Sequence, residues 1–284
     1  MISFSIVIPL YNKELSIRET LQSVLDQTYQ QFEVIVVNDG STDSSLSVAH
    51  SITDKRIKII NTENKGVSSA RNTGIRNSSY DYIAFLDADD IWYSNCLAEF
   101  KYLIDNFPDA SIFCTSHTLS IKDIPSRERR YYIDDYYRAT AEFYARDVVA
   151  LLCTGCVVVK KECFIQVGTF NENLSHGEDL DMWARLASMY IYAKSEIVTM
   201  KYRLDAENRS DKAIQKKINK PEQVTRQNIR NKYQRLDYGR IYFFHIYTNM
   251  RQRKDWNESF CLFFKYGDWI GAFMYLIVKK RFFN

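Results

Sequence analysis

An α/β fold, with a mostly parallel central sheet covered by helices on both faces, is the architecture this sequence predicts. Three observations point to it. Unbroken apolar runs rich in Val and Ile recur early, as SIVIPL, FEVIVV and IKII, and such runs mark strands buried on both faces. Segments with helical spacing separate them, the alternation that builds parallel sheets. The 284 residues are 46% hydrophobic and 26% charged, an ordinary globular composition that excludes wholesale disorder.

Taken in order, the predicted strands are 5–10, 32–37, 57–60, 82–86 and 110–115. The helices between and after them are 15–27, 44–51, 67–77 and 95–106. Residues 116–150 break the rhythm with charges and five tyrosines (131, 132, 136, 137 and 144) and read as an irregular insertion, a lid or acceptor-facing region. Regularity returns with a strand at 156–160, a helix at 161–167, a helix from 178 to about 189, and a last strand at 197–202. From 211 the chain turns helical, basic and aromatic, which predicts two parts: 1–210 as the principal domain and 211–284 as a helical C-terminal region.

The charge divides along the same line. Residues 1–200 carry 19 basic and 27 acidic side chains, a net of −8, and residues 201–284 carry 19 and 8, a net of +11. A basic end on an acidic body suits an anionic partner. Lys279-Lys280-Arg281 follows the apolar run 269–278, and Trp256, Trp269, Phe282 and Phe283 lie around it, a pattern fit for an anionic membrane surface or for packing on the body. An acidic, carboxylate-lined site disfavours nucleic acid. No apolar run approaches the roughly 20 residues of a membrane span, and the start MISFSIVIPLYNKE has neither the basic flank nor the cleavage site of an export signal. The expected location is therefore cytoplasmic, with peripheral attachment to the inner membrane's cytoplasmic face. Cys153-Thr154-Gly155-Cys156 has no second pair and reads as two buried thiols rather than a zinc or redox site.

Chemistry is expected where such sheets bind ligands, at the carboxyl ends of the strands. Pro9-Leu10-Tyr11-Asn12 ends the first strand, Asn38-Asp39-Gly40-Ser41 the second, and Asp87-Ala88-Asp89-Asp90 the fourth. Three carboxylates within four positions repel one another, so a cation explains them better than a turn does, Mg²⁺ or Mn²⁺ by the hardness of the ligands. Asp90 as a helix cap is the plain alternative. Arg71, in GVSSARNTGI, offers a planar fork to a carbonyl or phosphate, although a surface helix carries such residues too. Glu178 and Asp179 open an amphipathic run, a place the helix dipole favours for acids in any case.

Together SIVIPLYN, VNDGSTD, GVSSARNTGI, FLDADD and HGEDLDMWARL, in this order, resemble the family 2 glycosyltransferases of the GT-A fold, which are inverting and use nucleotide sugars. The resemblance covers about residues 3–190. It implies that Tyr11 stacks on uracil above Pro9, with Asn12 and Ala88 in the same donor pocket. It implies that Asp39 accepts from the base N3, that Arg71 lies near its O4, and that Asp87 contacts the ribose. Asp89 would ligate Mn²⁺ or Mg²⁺ bridging the two phosphates, and Asp179 would be the catalytic base, with Asp181 its local rival. Glu178, His176, Arg203 and Arg209 are candidate acceptor or diphosphate contacts, and Trp183 is either an acceptor platform or core. Uridine is the family's commonest base, and the resemblance points to a lipid-linked glycan acceptor in bacterial cell-surface polysaccharide (O-antigen or capsule) synthesis. A processive synthase would add membrane helices and a Q-x-x-R-W motif. The other rivals are a nucleotidyltransferase, which would need a Gly-rich basic loop after the first strand, and a nucleotide-sugar-binding protein without turnover.

Overall fold

The computed structural model describes residues 1–118, 131–134, 153–174, 177–187, 189–208 and 270. Apart from Ile270, these fall in one compact unit. His176, Arg209, the expected boundary near 210 and the basic C-terminal region beyond it lie outside the described residues, again excepting Ile270, and so does most of the 116–150 insertion.

The first half follows the predicted alternation. Strand β1 (Phe4–Leu10) leads to helix α1 (Ile17–Leu25), β2 (Phe32–Asp39), α2 (Ser45–His50), β3 (Ile57–Thr62), α3 (Val67–Asn77) and β4 (Tyr82–Phe85). There follow β5 (Ile91–Trp92), α4 (Cys96–Asn106), β6 (Ile112–Thr118) and β7 (Tyr131–Asp134). After a single 3₁₀ turn at Thr154–Cys156 come β8 (Val157–Lys160), α5 (Lys161–Val167), α6 (Glu178–Ala187) and β9 (Tyr192–Lys201).

The described strands form one sheet in the order β3-β2-β1-β4-β8-β6-β9-β5, with β7 paired to β9. The β3-β2-β1-β4 half is parallel throughout. Beyond β4 the pairing is mixed: β8 runs antiparallel to both β4 and β6, whereas β6 and β9 are parallel. Chain order reverses between β1 and β4, so the crevice at their carboxyl ends is the topological switch point where such sheets bind ligands. Leu10, Asp39 and Phe85 end the strands that open onto it.

Two strands escape the sequence pattern. β5 is only two residues long, and β7 lies inside the segment expected to be irregular. β9 also begins five residues before its expected start, because Tyr192-Ala193-Lys194-Ser195-Glu196 has no apolar run. Its pairing with β6 and β7 makes these residues a strand, tertiary context overriding local preference.

Side chains alternate across β1 and supply both cores. Phe4, Ile6, Ile8 and Leu10 pack with Ile17, Leu21 and Val24 of α1 and with Leu97, Phe100 and Leu103 of α4. On the other face Val7 meets α3. A Cβ built on Gly74 would lie 2.2 Å from Val7 Cγ1, so only glycine lets α3 approach this closely. In register with Val7 is Phe85, the hub of an aromatic cluster with Phe164 of α5, Phe170 and Trp183 of α6. The Phe85–Phe170, Phe170–Trp183 and Phe85–Trp183 centroids are 5.4, 5.8 and 6.0 Å apart in edge-on geometry. Each such pair contributes about 0.5–1.5 kcal/mol beyond burial, and together they fasten α6 to the sheet.

Replacing Gly74 by Ala should therefore cost about 1–3 kcal/mol, because Val7 sits in rigid sheet and cannot retreat. A lowered urea midpoint with an unchanged slope would show it.

Candidate active site

Three loops meet at the switch point. The first follows β1. Asn12 adopts φ 50°, a left-handed conformation Asn tolerates, and its amide N–H donates to Ser41 Oγ at 3.1 Å. Its side-chain Oδ1 accepts the Thr42 N–H at 2.8 Å. Asn12 thus braces the β1 loop against the β2 loop, and its side chain is spent on that tie. Tyr11 beside it is 40% exposed, open for a planar ligand to stack on. Pro9 is half-buried within β1, opposite Val37.

The second loop follows β2. Asp39 is buried, and its carboxylate accepts the Lys65 N–H at 2.9 Å and the Gly66 N–H at 2.8 Å. It thereby organises the start of α3, where Gly66 is the N-cap. The Thr62 hydroxyl lies 3.5 Å from Oδ1 as a third donor, and since a carboxylate has about four acceptor positions, room is left for one more. Gly40 turns at φ 68°, and a Cβ there would meet the Asn64 amide nitrogen at 2.9 Å.

The third loop follows β4. In this structure each of its acids has a separate partner. Asp87 Oδ1 accepts from Arg71 at 2.8 Å. Asp89 Oδ2 accepts from Lys13 Nζ at 2.7 Å. Asp90 is buried and accepts the Arg203 N–H at 3.1 Å. Burial, reinforced by Asp87 and Asp89, holds its carboxyl well above the usual range. The Thr20 hydroxyl lies 3.0 and 2.9 Å from the Ala88 and Asp90 carbonyls and fixes the turn from α1. Ala88 is itself buried.

Arg71 does more than the sequence suggested, and it does so from inside. Its side chain is 4% exposed. One guanidinium nitrogen donates to Asp87 and the other to Glu178 Oε1 at 2.9 Å, while its carbon lies 5.3 Å from the Phe170 ring centre. Desolvation disfavours the charge, but Asp87 and Glu178 outweigh it, and the group is held more firmly protonated than usual. The surface-helix reading of Arg71 is thus overturned by its burial. A single cation links the FLDADD turn to the first turn of α6, so the two acidic motifs share one neighbourhood.

On α6 the candidates separate clearly. Glu178 is engaged with Arg71. Asp179, the next residue, is half-buried and close enough to stabilise the charge of Arg71. Its rival Asp181 is gripped by Arg185 at 2.8 Å, whose other bonds go to the Val167 and Thr169 carbonyls. Trp183 is 1% exposed, which removes it as an acceptor platform and makes it core. Arg203 turns its guanidinium to Glu19 at 2.6 Å. Cys153 and Cys156 are free thiols. A hydrogen bond to Cys156 and burial push the Cys153 thiol well up, away from thiolate chemistry.

Two residues carried no sequence signal. Lys13 reaches Asp89, the Glu207 carbonyl at 2.5 Å and the Asn208 carbonyl at 3.2 Å. Glu207 places its carboxylate on the Leu15 and Ser16 N–H groups, each at 3.0 Å, at the start of α1. A lysine in an exposed-looking turn and a glutamate about 190 residues later show nothing in one dimension that joins them.

No three His, Cys, Asp or Glu side chains converge as a metal cage among the described residues. The residues nevertheless fit a divalent ion of the kind that one carboxylate holds together with substrate phosphates. The Asp89 carboxylate already balances a cation in this structure, the Lys13 ammonium at 2.7 Å.

Comparison with known proteins agrees with the fold and these motifs. The model of glycosyl transferase family 2 matches residues 5–168. A glycosyltransferase of Rickettsia bellii is 33% identical over 211 residues, 72% of this chain and 29% of its own length. The Escherichia coli UDP-Glc:α-D-GlcNAc-diphosphoundecaprenol β-1,3-glucosyltransferase WfgD is 44% identical over 94 residues, 33% of this chain and 37% of its own length. The chain thus spans less than two fifths of either relative. Staphylococcus aureus TarS in complex with UDP superposes with a TM-score of 0.56 at 17% identity, covering 99% of this chain and 91% of that one. The Pyrobaculum calidifontis mannosyltransferase PcManGT, with GDP-Man and Mn²⁺, gives 0.57 at 18%, covering 88% and 64%. Identities this low speak for the fold alone. The family match, covering more than half the chain, and the motifs at the switch point lead to one assignment: this chain belongs to glycosyl transferase family 2.

Proposed function

We propose that the chain is an inverting glycosyltransferase that moves one sugar from a UDP-sugar to a hydroxyl of a lipid-linked glycan in bacterial cell-surface polysaccharide synthesis. The observation that carries this reading is the Arg71 bridge, which sets the end of β4 and the first turn of α6 around one crevice. UDP bound to TarS supports uridine as the base. The undecaprenol-linked substrate in the name of WfgD supports the lipid-linked acceptor. The basic, aromatic composition of 211–284 would suit such an acceptor or an anionic membrane. Among the described residues no helix is long and apolar enough to cross one. The enzyme would work at the cytoplasmic face of the inner membrane.

In this reading Tyr11 stacks on the base, Asp39 takes its N3–H on a remaining acceptor position, and Asp87 orients the ribose. Arg71 holds Asp87 in place instead of touching the base. Asp89 would hold Mn²⁺ or Mg²⁺, which when bound supplies charge to offset that developing on the leaving diphosphate. Asp179 removes the proton of the acceptor hydroxyl as it attacks the anomeric carbon. A single displacement needs no covalent intermediate, and an α-linked donor gives a β-linked product.

Incubating the protein and Mn²⁺ with a panel of nucleotide sugars and measuring released nucleoside diphosphate tests the reading directly. Silence across the whole panel, acceptor extracts included, would remove it. Asp179→Asn should bind UDP as the parent does while turnover falls roughly 10²–10⁴-fold. Unimpaired turnover would transfer the role of base to another group. Asp89→Ala should abolish the stimulation of nucleotide release by Mn²⁺. Arg71→Met should lower stability by about 2–3 kcal/mol in chemical denaturation, under the usual range for a broken buried pair because Asp87 is partly solvated. Stability equal to the parent's would mean the bridge contributes nothing.

A further inference from the structure

Lys13 is anchored by its backbone, and its ammonium sits on a flexible four-carbon stem. Its N–H donates to Ser45 Oγ at 2.6 Å, and its carbonyl accepts from Ser16 and Ile17 at the start of α1. The side chain, 13% exposed, carries the ammonium to Asp89, itself 14% exposed. The two loop carbonyls, of Glu207 and Asn208, complete its three donors.

A strut for the 203–208 loop would be the plain explanation, yet that loop is secured without Lys13. Glu207 caps the start of α1 through two backbone N–H groups and Ser16 Oγ. The Arg203 N–H is bonded to Asp90, and its guanidinium to Glu19. Lys13 also places positive charge on the carboxylate proposed to hold the divalent ion. A Mg²⁺ or Mn²⁺ ion sits about 2.1 Å from its carboxylate oxygen. A phosphate held by such an ion would be a near neighbour of Asp89, and the Lys13 ammonium, on a flexible stem, is already 2.7 Å from that carboxylate.

We propose that Lys13 is a diphosphate-binding residue. Its ammonium balances Asp89 before the donor arrives and transfers to the donor's diphosphate when a divalent cation takes Asp89. The exchange keeps every charge paired. Asp89 trades a monovalent partner for a divalent one, and the surplus positive charge meets the incoming phosphates. No bond is made or broken in the step. The proposal rests on the functional reading above and adds a residue to it.

Calorimetric titration of the full chain tests it with the Mn²⁺ complex of inorganic pyrophosphate and, separately, with Mn²⁺ alone. In Lys13→Met, pyrophosphate affinity should fall about tenfold, the scale of one charge-assisted hydrogen bond. Affinity for Mn²⁺ should rise severalfold, because no ammonium competes for Asp89. Lys13→Arg should retain pyrophosphate binding. Should the Met variant melt far below the parent, Lys13→Gln carries the same comparison with a polar tip. If neither affinity changes while the variant still binds UDP with Mn²⁺, Lys13 is only a strut and the proposal fails with the functional reading intact. If the parent itself binds neither pyrophosphate nor Mn²⁺, and releases no nucleotide from any sugar donor, the proposal and that reading fall together.

Discussion

Arg71 is the constraint on which the geometry of the sheet edge depends. A guanidinium this deeply buried requires compensation, and Asp87 and Glu178 provide it from two elements separated by about 90 residues. Its Nε has no hydrogen-bond partner, a cost of roughly 1–3 kcal/mol, offset in part by the Phe170 ring beneath it. Such an arrangement is weak as a source of stability and strong as a source of position. Neither carboxylate can leave without stranding a buried charge. The end of β4 and the first turn of α6 are thus held to a common reference.

The acids after β4 show how a cluster of like charges is made tolerable. Each is neutralised by a different means: Asp87 by a buried arginine, Asp89 by a lysine with a flexible stem, Asp90 by burial and one backbone donor. Only the second of these is readily reversed. A lysine is a point charge on a flexible chain, whereas Arg71 is locked by its fork and by packing. Among the three, Asp89 is the carboxylate that the proposed exchange of Lys13 for a divalent ion concerns.

Much of this fold was legible because strands buried on both faces have a plain sequence signature. The 67–77 and 161–167 helices fall as expected, and the first four strands lie within two residues of theirs. Elements defined by their neighbours were not legible. β5, β7 and the first half of β9 carry no apolar run and exist through pairing with other strands. At the site, residues drawn into one crevice could be read as motifs, but their partners could not. FLDADD gave three equivalent acids, and nothing local tells that one faces an arginine, one a lysine and one the core. Arg71 looked like a surface residue because GVSSARNTGI is poor in large apolar side chains. It is the packing of Gly74 against Val7 that draws this helix inward. Lys13 and Glu207 meet only through folding, so no spacing announces them.

The same reasoning changes what Trp183 is for. One helical turn separates it from Asp179, so the two lie on adjoining parts of one face of α6. Trp183 is packed edge-on against Phe85 and Phe170, and Phe85 belongs to the strand that leads into the Asp87 turn. The aromatic cluster therefore fixes α6 from below, as Arg71 does at its first turn through Glu178. With both attachments in place, Asp179 has little freedom beyond its own side-chain rotation. The base proposed at Asp179, which would have to meet an incoming hydroxyl within hydrogen-bond reach, would gain from that restriction, since small misplacements cost large factors in rate. Trp183, buried at 1% exposure, would serve that role by packing rather than by touching an acceptor.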